Sequence, residues 1–130
     1  MSERLRILVV EDNPTYAEFV AGTLRTAGHE VHLATHGALA RDHARAHILD
    51  AVVLDLGLPD ESGYDVAKGL REVLPATAII ILLTAELYPQ RDIADAVGID
   101  MVISKPVEAE LVTGLVDLVR SRRALRLQTE

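Results

Sequence analysis

Apolar runs of strand length alternate along this chain with stretches whose apolar positions recur at helical spacing. Ile7-Leu8-Val9-Val10 predicts a first buried strand. Asn13-Pro14 then opens a helix: an Asn side chain accepts from the unpaired N–H groups of a first turn, and a proline at the first helical position has no N–H to lose. Phe19, Val20, Thr23 and Leu24 are expected to form the apolar stripe of that helix, and Gly28 its end. Residues 31–34 predict a shorter, more polar strand suited to a sheet edge, and a helix is expected over about 37–46. Residues 51–54 are continuously apolar and predict a central strand. A loop with Pro59, Asp60, Ser62 and Gly63 leads into a helix to about Val73, and Pro75 breaks it before a fourth strand at 78–83. A helix is expected from about Pro89 to Val97, stopped by Gly98. A fifth strand at 101–103 runs through Ser104-Lys105-Pro106 into a last helix. Five βα units in succession predict an α/β fold: a doubly wound five-stranded parallel sheet with right-handed crossovers and helices on both faces.

Composition narrows the class. A chain of 130 residues predicts a single domain over 1–130, with its core at about 5–120 and residues 121–130 a C-terminal helix extension or linker stub. Hydrophobic residues make up 49% and aromatic ones only 3%, so the core is expected to be aliphatic, as in a parallel sheet covered on both sides. The net charge of -7 argues against direct binding of nucleic acid, which needs a positive field. The absence of cysteine removes disulfides, thiolate metal sites and Cys nucleophiles together. The longest apolar run is far below the ~20 residues that span a bilayer. Met1-Ser2-Glu3-Arg4 leads straight into a strand with an acidic end and is not a signal peptide. The expected location is cytoplasmic, with no membrane partner.

The chemistry lies where the predicted strands end. Glu11 and Asp12 follow strand one, Asp55 follows strand three, Thr84 follows strand four and Lys105 closes strand five. In an open α/β sheet those ends converge on one edge, and ligands sit where the strand order reverses. With the order 2-1-3-4-5 that crevice would hold Glu11, Asp12 and Asp55 together. Three packed carboxylates raise each other's pKa unless a cation joins them, and a small oxygen-rich site favours Mg²⁺ over zinc. Such an ion can bridge Asp55 to a phosphoryl oxygen, Lys105 adds a point charge and Thr84 a hydroxyl donor. Asp55 is left as a carboxylate nucleophile able to form an acyl phosphate. A single acid at a strand end is ordinarily a helix cap or turn residue. Capping alone does not produce the whole set at successive strand ends.

The segments Ile-Leu-Val-Val-Glu-Asp-Asn-Pro (7–14), Asp-Leu-Gly-Leu-Pro-Asp-Glu-Ser-Gly (55–63), Leu-Thr-Ala (83–85) and Ser-Lys-Pro (104–106), in this order and spacing, resemble the response-regulator receiver family of two-component systems. The resemblance spans about 6–120 and implies a flavodoxin-like (CheY-like) fold. It implies that Asp55 is phosphorylated from a phosphohistidine on a sensor histidine kinase or histidine phosphotransfer protein. Asp12 and Asp55 would bind Mg²⁺ directly with the Gly57 carbonyl, and Glu11 through a metal-bound water. Thr84 and Lys105 would hold the phosphoryl oxygens, and Lys105-Pro106 would be a cis peptide. The output would be altered binding of a downstream protein, or of a covalently linked effector, on the face of helix four, strand five and helix five. Beyond self-phosphorylation and autodephosphorylation no enzyme activity is implied. The chain departs from the family at Val102, where an aromatic ring usually forms the switch with Thr84, at Val107, where Phe is frequent, and at Gly57, where bulkier side chains are common.

Three features stand apart. His29, His32, His36, His43 and His47 fall in one stretch; His43 and His47 share a helix face, but no third ligand for zinc or nickel is evident, so a solvated surface is expected. The basic segment 119–127 is expected to complement a helix macrodipole. Leu125 and Leu127 leave two readings open, a linker to an effector or a homodimer contact. Only one helix is expected after Lys105, so no DNA-binding output domain is expected in this chain. The competing function is a Mg²⁺-dependent phosphohydrolase with an Asp nucleophile, which would place that residue after strand one with a second Asp two positions on. The chain has Glu11-Asp12-Asn13-Pro14 there. A flavin or nucleotide carrier would need a Gly/Ser/Thr-rich loop at the same place, where acids would repel phosphate.

Overall fold

The computed structural model describes residues 4–86 and 90–129. Its elements are β1 (Arg6–Val10), α1 (Pro14–Thr26), β2 (Glu30–Ala34), α2 (Gly37–Ala46), β3 (Ala51–Asp55), α3 (Gly63–Val73), β4 (Ile79–Thr84), α4 (Arg91–Ala96), β5 (Met101–Ser104) and α5 (Ala109–Thr129). The five strands form one sheet in the order β2-β1-β3-β4-β5, with every pairing parallel. The more polar β2 is an edge and the continuously apolar β3 is central, as expected.

Helix boundaries follow local chemistry. The Asn13 side chain accepts from the Tyr16 N–H at 3.0 Å, with Pro14 at the first helical position. Ser62 caps α3 in the same way through Tyr64 N. His36 caps α2, its Nδ1 accepting from Leu39 N at 3.2 Å. Gly28 and Gly98 take the left-handed backbone at φ 97° and 86° after α1 and α4, a conformation that costs other residues strain. The expected start of the fourth helix at Pro89 lies outside the described residues.

The sheet is packed on both sides. α2, α3 and Ala94 of α4 cover one face over Leu8, Val10, Val52, Leu54, Ile80 and Leu82. α1 and α5 cover the other over Ile7, Val9, Val53, Ile79, Ile81 and Leu83.

Two expectations need correction. Phe19, 40% exposed, and Thr23, half-buried, are not part of the buried stripe. Ala17, Val20, Ala21 and Leu24 form that stripe, spaced i, i+3, i+4, i+7, and Phe19 falls outside their arc, tilted against Tyr16 with ring centroids 6.3 Å apart. The basic tail does more than complement a dipole. Arg123 pairs with Asp50 at 3.0 Å, and Arg126 pairs with Asp100 and donates to the carbonyls of Ala76 and Ala78. Asp50 and Asp100 sit immediately before β3 and β5 and also accept from Arg6 N and Ile80 N, so α5 is tied to the starts of β3 and β5. Among the described residues no helix is long and apolar enough to cross a membrane.

Candidate functional site

Strand register creates the site. Val10 pairs with Leu54, and Asp55 pairs with Leu83, so Glu11 and Asp55 emerge side by side between β1 and β3. Ligand oxygens of Glu11, Asp12 and Asp55 all lie within 4.8 Å of one another. Thr84 is the last residue of β4, one strand further along, and Lys105 follows β5 and reaches back across the edge. Its Nζ stands 2.8 Å from Glu11 Oε1 and 3.2 Å from Asp55 Oδ1. The Lys105–Pro106 peptide is cis.

Two contacts of Lys105 were not legible in the sequence. Lys105 Nζ lies over the Tyr16 ring, 4.5 Å from its centroid, a cation–π contact. Tyr16 is in the first turn of α1, whose Asn13 cap sets the helix beside the acids, and a tyrosine at that position reads in sequence as ordinary helix surface. Glu11 is the second case. It is 5% exposed, and its second oxygen accepts from Asn13 N at 3.3 Å, so it braces Lys105 and the α1 entry together.

Electrostatics follow from this packing. Burial raises the Glu11 carboxyl above its ordinary range, and the hydrogen bond from Lys105 opposes that while the Asp55 charge adds to it. For Lys105, burial alone would lower the ammonium, but Glu11 and Asp55 outweigh it and the net shift is upward. Lys105 is therefore charged at neutral pH, and it does not fully satisfy the acids around it. Converging carboxylate oxygens with charge still to be offset suit a hard divalent cation such as Mg²⁺. Asp12 is exposed at the rim, and Gly57 lines the same pocket as Asp55.

The floor is the segment after β3. Leu56 N donates to the Leu83 carbonyl and Gly63 N to the Leu56 carbonyl, while Gly57 and Ser62 form an antiparallel bridge. This tight return requires glycine at position 63, where a Cβ would stand 2.7 Å from Leu56 Cα and 2.8 Å from the Asp55 carbonyl oxygen. A pocket of about 290 Å³ opens above it, lined by Asp55, Leu56, Gly57, Thr84, Ala85, Glu86 and Lys105. Buried Thr84 Oγ1 accepts from Glu86 N at 3.0 Å and keeps its own proton to donate. Val102 pairs with Leu82 while Thr84 pairs with Ser104, so Val102 and Thr84 share a sheet face one pleat apart. Val102 is half-buried against the α2/α3 core.

The sequence model of the response regulator receiver domain matches residues 7–117. The chain is 36% identical over 123 residues to the transcriptional regulatory protein KdpE of Mycobacterium tuberculosis, covering 95% of this chain and 52% of that protein. It is 36% identical over 107 residues to the transcriptional regulatory protein DltR of Streptococcus agalactiae, covering 82% of this chain and 47% of that protein. The chain thus spans about half the length of the curated relatives it matches. Its fold superposes on the chemotaxis protein CheY4 of Vibrio cholerae with a TM-score of 0.81 at 26% identity, covering 90% of this chain and 99% of that one.

Proposed function

Because the chain belongs to the response regulator receiver domain family, we propose that it is a phosphorylation-dependent switch that takes a phosphoryl group onto Asp55. Receiver domains of this family are signalling domains of two-component systems, and they generally use Mg²⁺ at their acidic site. The donor in this reading is a phosphohistidine on a sensor histidine kinase or histidine phosphotransfer protein, and residues 1–130 act as one receiver domain. The observation that carries it is the position of Asp55, an acid at the mouth of a 290 Å³ pocket with Lys105 Nζ 3.2 Å away.

An Asp55 carboxylate oxygen attacks phosphorus in line with the donor nitrogen. The P–N bond breaks, its electron pair returns to the imidazole, and the product is an acyl phosphate. Asp12, Asp55 and the Gly57 carbonyl would hold Mg²⁺ directly, with Glu11 acting through a metal-bound water. When bound, the ion neutralises the oxygens of the transferring group. Glu11 holds Lys105 where its ammonium meets a phosphoryl oxygen, and Thr84 donates its hydroxyl to another. The added charge then alters what binds to the face of α4, β5 and α5.

Incubation with Mg²⁺ and a small acyl or amido phosphate donor, followed by intact mass, tests this. One added phosphate is expected, and none in Asp55→Asn. Absence of modification, or modification unchanged in that variant, overturns the proposal.

A further inference from the structure

Two of the five histidines between positions 29 and 47 serve the backbone. His29 Nδ1 accepts from Leu5 N at 3.0 Å, and His36 Nδ1 caps α2. The other three converge. His32 lies in the middle of β2, opposite Leu8, His43 is in the last turn of α2, and His47 is the C-terminal cap of that helix. The ring centroids of His32 and His47 are 4.1 Å apart, those of His32 and His43 5.5 Å, and those of His43 and His47 5.9 Å. One ring nitrogen from each lies within 4.8 Å of the other two. The sequence shows the i, i+4 pair on the helix and not the third member, because His32 is supplied by packing of the edge strand against α2.

We propose that His32, His43 and His47 form a binding site for one divalent transition-metal ion of the zinc, nickel and copper class. Imidazole nitrogen is a preferred ligand for these ions, and three protein ligands leave a position for water. A metal–nitrogen length of about 2.0–2.1 Å puts tetrahedral ligand atoms roughly 3.4 Å apart, and the three ring nitrogens already lie within 4.8 Å of one another. Glu30 Oε2 lies 3.0 Å from His32 Nε2 and supplies the carboxylate partner that orients a ligating imidazole and offsets cationic charge. The end of α2 adds the partial negative charge of a helix C-terminus, which favours a cation there. Because α2 runs back against the strand direction, the cluster lies toward the sheet edge opposite the carboxylates around Asp55.

Titration of the full untagged chain with Zn²⁺ by calorimetry, and with Co²⁺ by visible absorption, reads the site directly. One equivalent is expected to bind with micromolar or tighter affinity, and Co²⁺ to develop the intense bands of a four-coordinate nitrogen site. Binding should weaken more than about tenfold in His32→Gln, His43→Asn and His47→Gln. It should be unchanged in His36→Asn, in Asp55→Asn and in millimolar Mg²⁺. His47 is exposed, so its variant leaves packing intact, and circular dichroism checks that each variant is folded. Affinity weaker than millimolar, binding undiminished in the His43→Asn/His47→Gln double variant, or binding lost in Asp55→Asn would each overturn the proposal. The last result would place the ion at the acidic site instead.

Discussion

Replacing Gly63 with alanine tests whether the tight return after β3 is what holds Asp55 in place. The new Cβ would stand 2.7 Å from Leu56 Cα and 2.8 Å from the Asp55 carbonyl oxygen, and both are backbone atoms that no side-chain rotation can move. Overpacking of this kind costs about 1–3 kcal/mol. Alanine returns about 0.4–1 kcal/mol by restricting the unfolded chain. The clash wins, and a net loss of about 1–2 kcal/mol is expected. Relief requires the 55–56 backbone to move away from α3, which carries the Asp55 carboxylate off its 3.2 Å alignment with Lys105. Acyl-phosphate-driven modification should therefore slow as well as stability fall. Gly57→Ala is the matched control: it has no atom within 4 Å of its added Cβ and its φ is not positive, so a change under about 0.5 kcal/mol is expected. Urea unfolding followed by circular dichroism measures both, with an unchanged m-value as the check that only stability moved. A Gly63→Ala chain as stable as the parent and modified at the same rate would refute the argument, as would greater damage from Gly57→Ala.

Asp100→Ala removes the shared partner of Arg71, Arg126 and Ile80 N; since both guanidiniums keep some solvent contact, a loss of about 2 kcal/mol in urea unfolding is expected rather than the full cost of a broken buried pair. His29 has its pKa lowered by burial and then by Arg120 and Arg4, so the folded state binds fewer protons than the unfolded one below pH of about 6.5. Stability on that account falls as pH drops through the histidine range, and the urea midpoint of His29→Gln should depend less on pH between 7.5 and 5.5; an equal or steeper slope would contradict it. Lys105→Met removes the hydrogen bond and charge that oppose burial at Glu11, so the Glu11 carboxyl should titrate at still higher pH in a carbon-13 NMR experiment, and a downward move would contradict the assigned causes.

Most of the fold could be read from period and punctuation. The β1, β3 and β4 runs are apolar because both sheet faces are covered, and Asn13-Pro14, Gly28 and Gly98 mark helix ends by mechanisms that act within a few residues. What stayed hidden depends on tertiary approach. Phe19 looked like core because it is large and apolar, but the arc of α1 is set by which side meets the sheet, and small Ala17 and Ala21 fill it. The arginines of α5 looked like dipole partners because Asp50 and Asp100 are remote in sequence and meet them only when the last helix crosses the starts of β3 and β5. His32 was hidden from His43 and His47 for the same reason. The acids, Thr84 and Lys105 were visible because parallel topology maps strand ends onto one edge, whereas Tyr16 was not, because its role exists only once Lys105 reaches back over it.

Lys105 is where the two halves of the proposed mechanism meet. In the unmodified chain its ammonium is held by Glu11, Asp55 and the Tyr16 ring, which ties the end of β5 to β1, β3 and α1. A phosphoryl group on Asp55 brings about -2 of charge where a carboxylate carried -1, and it competes directly with Glu11 for that ammonium. In the proposed switch the pull would act on a residue one step beyond β5 and shortly before α5, and so would reach the α4–β5–α5 face through the main chain. Thr84 offers a second route through its hydroxyl, but the neighbour it could signal to on the same sheet face is Val102, a β-branched side chain with one strongly preferred rotamer and no ring to swing. The balance between these routes favours backbone displacement of β5 over side-chain rotation. Enlarging Val102 to an aromatic should then change how tightly the α4–β5–α5 face moves with phosphorylation without changing how fast Asp55 is modified.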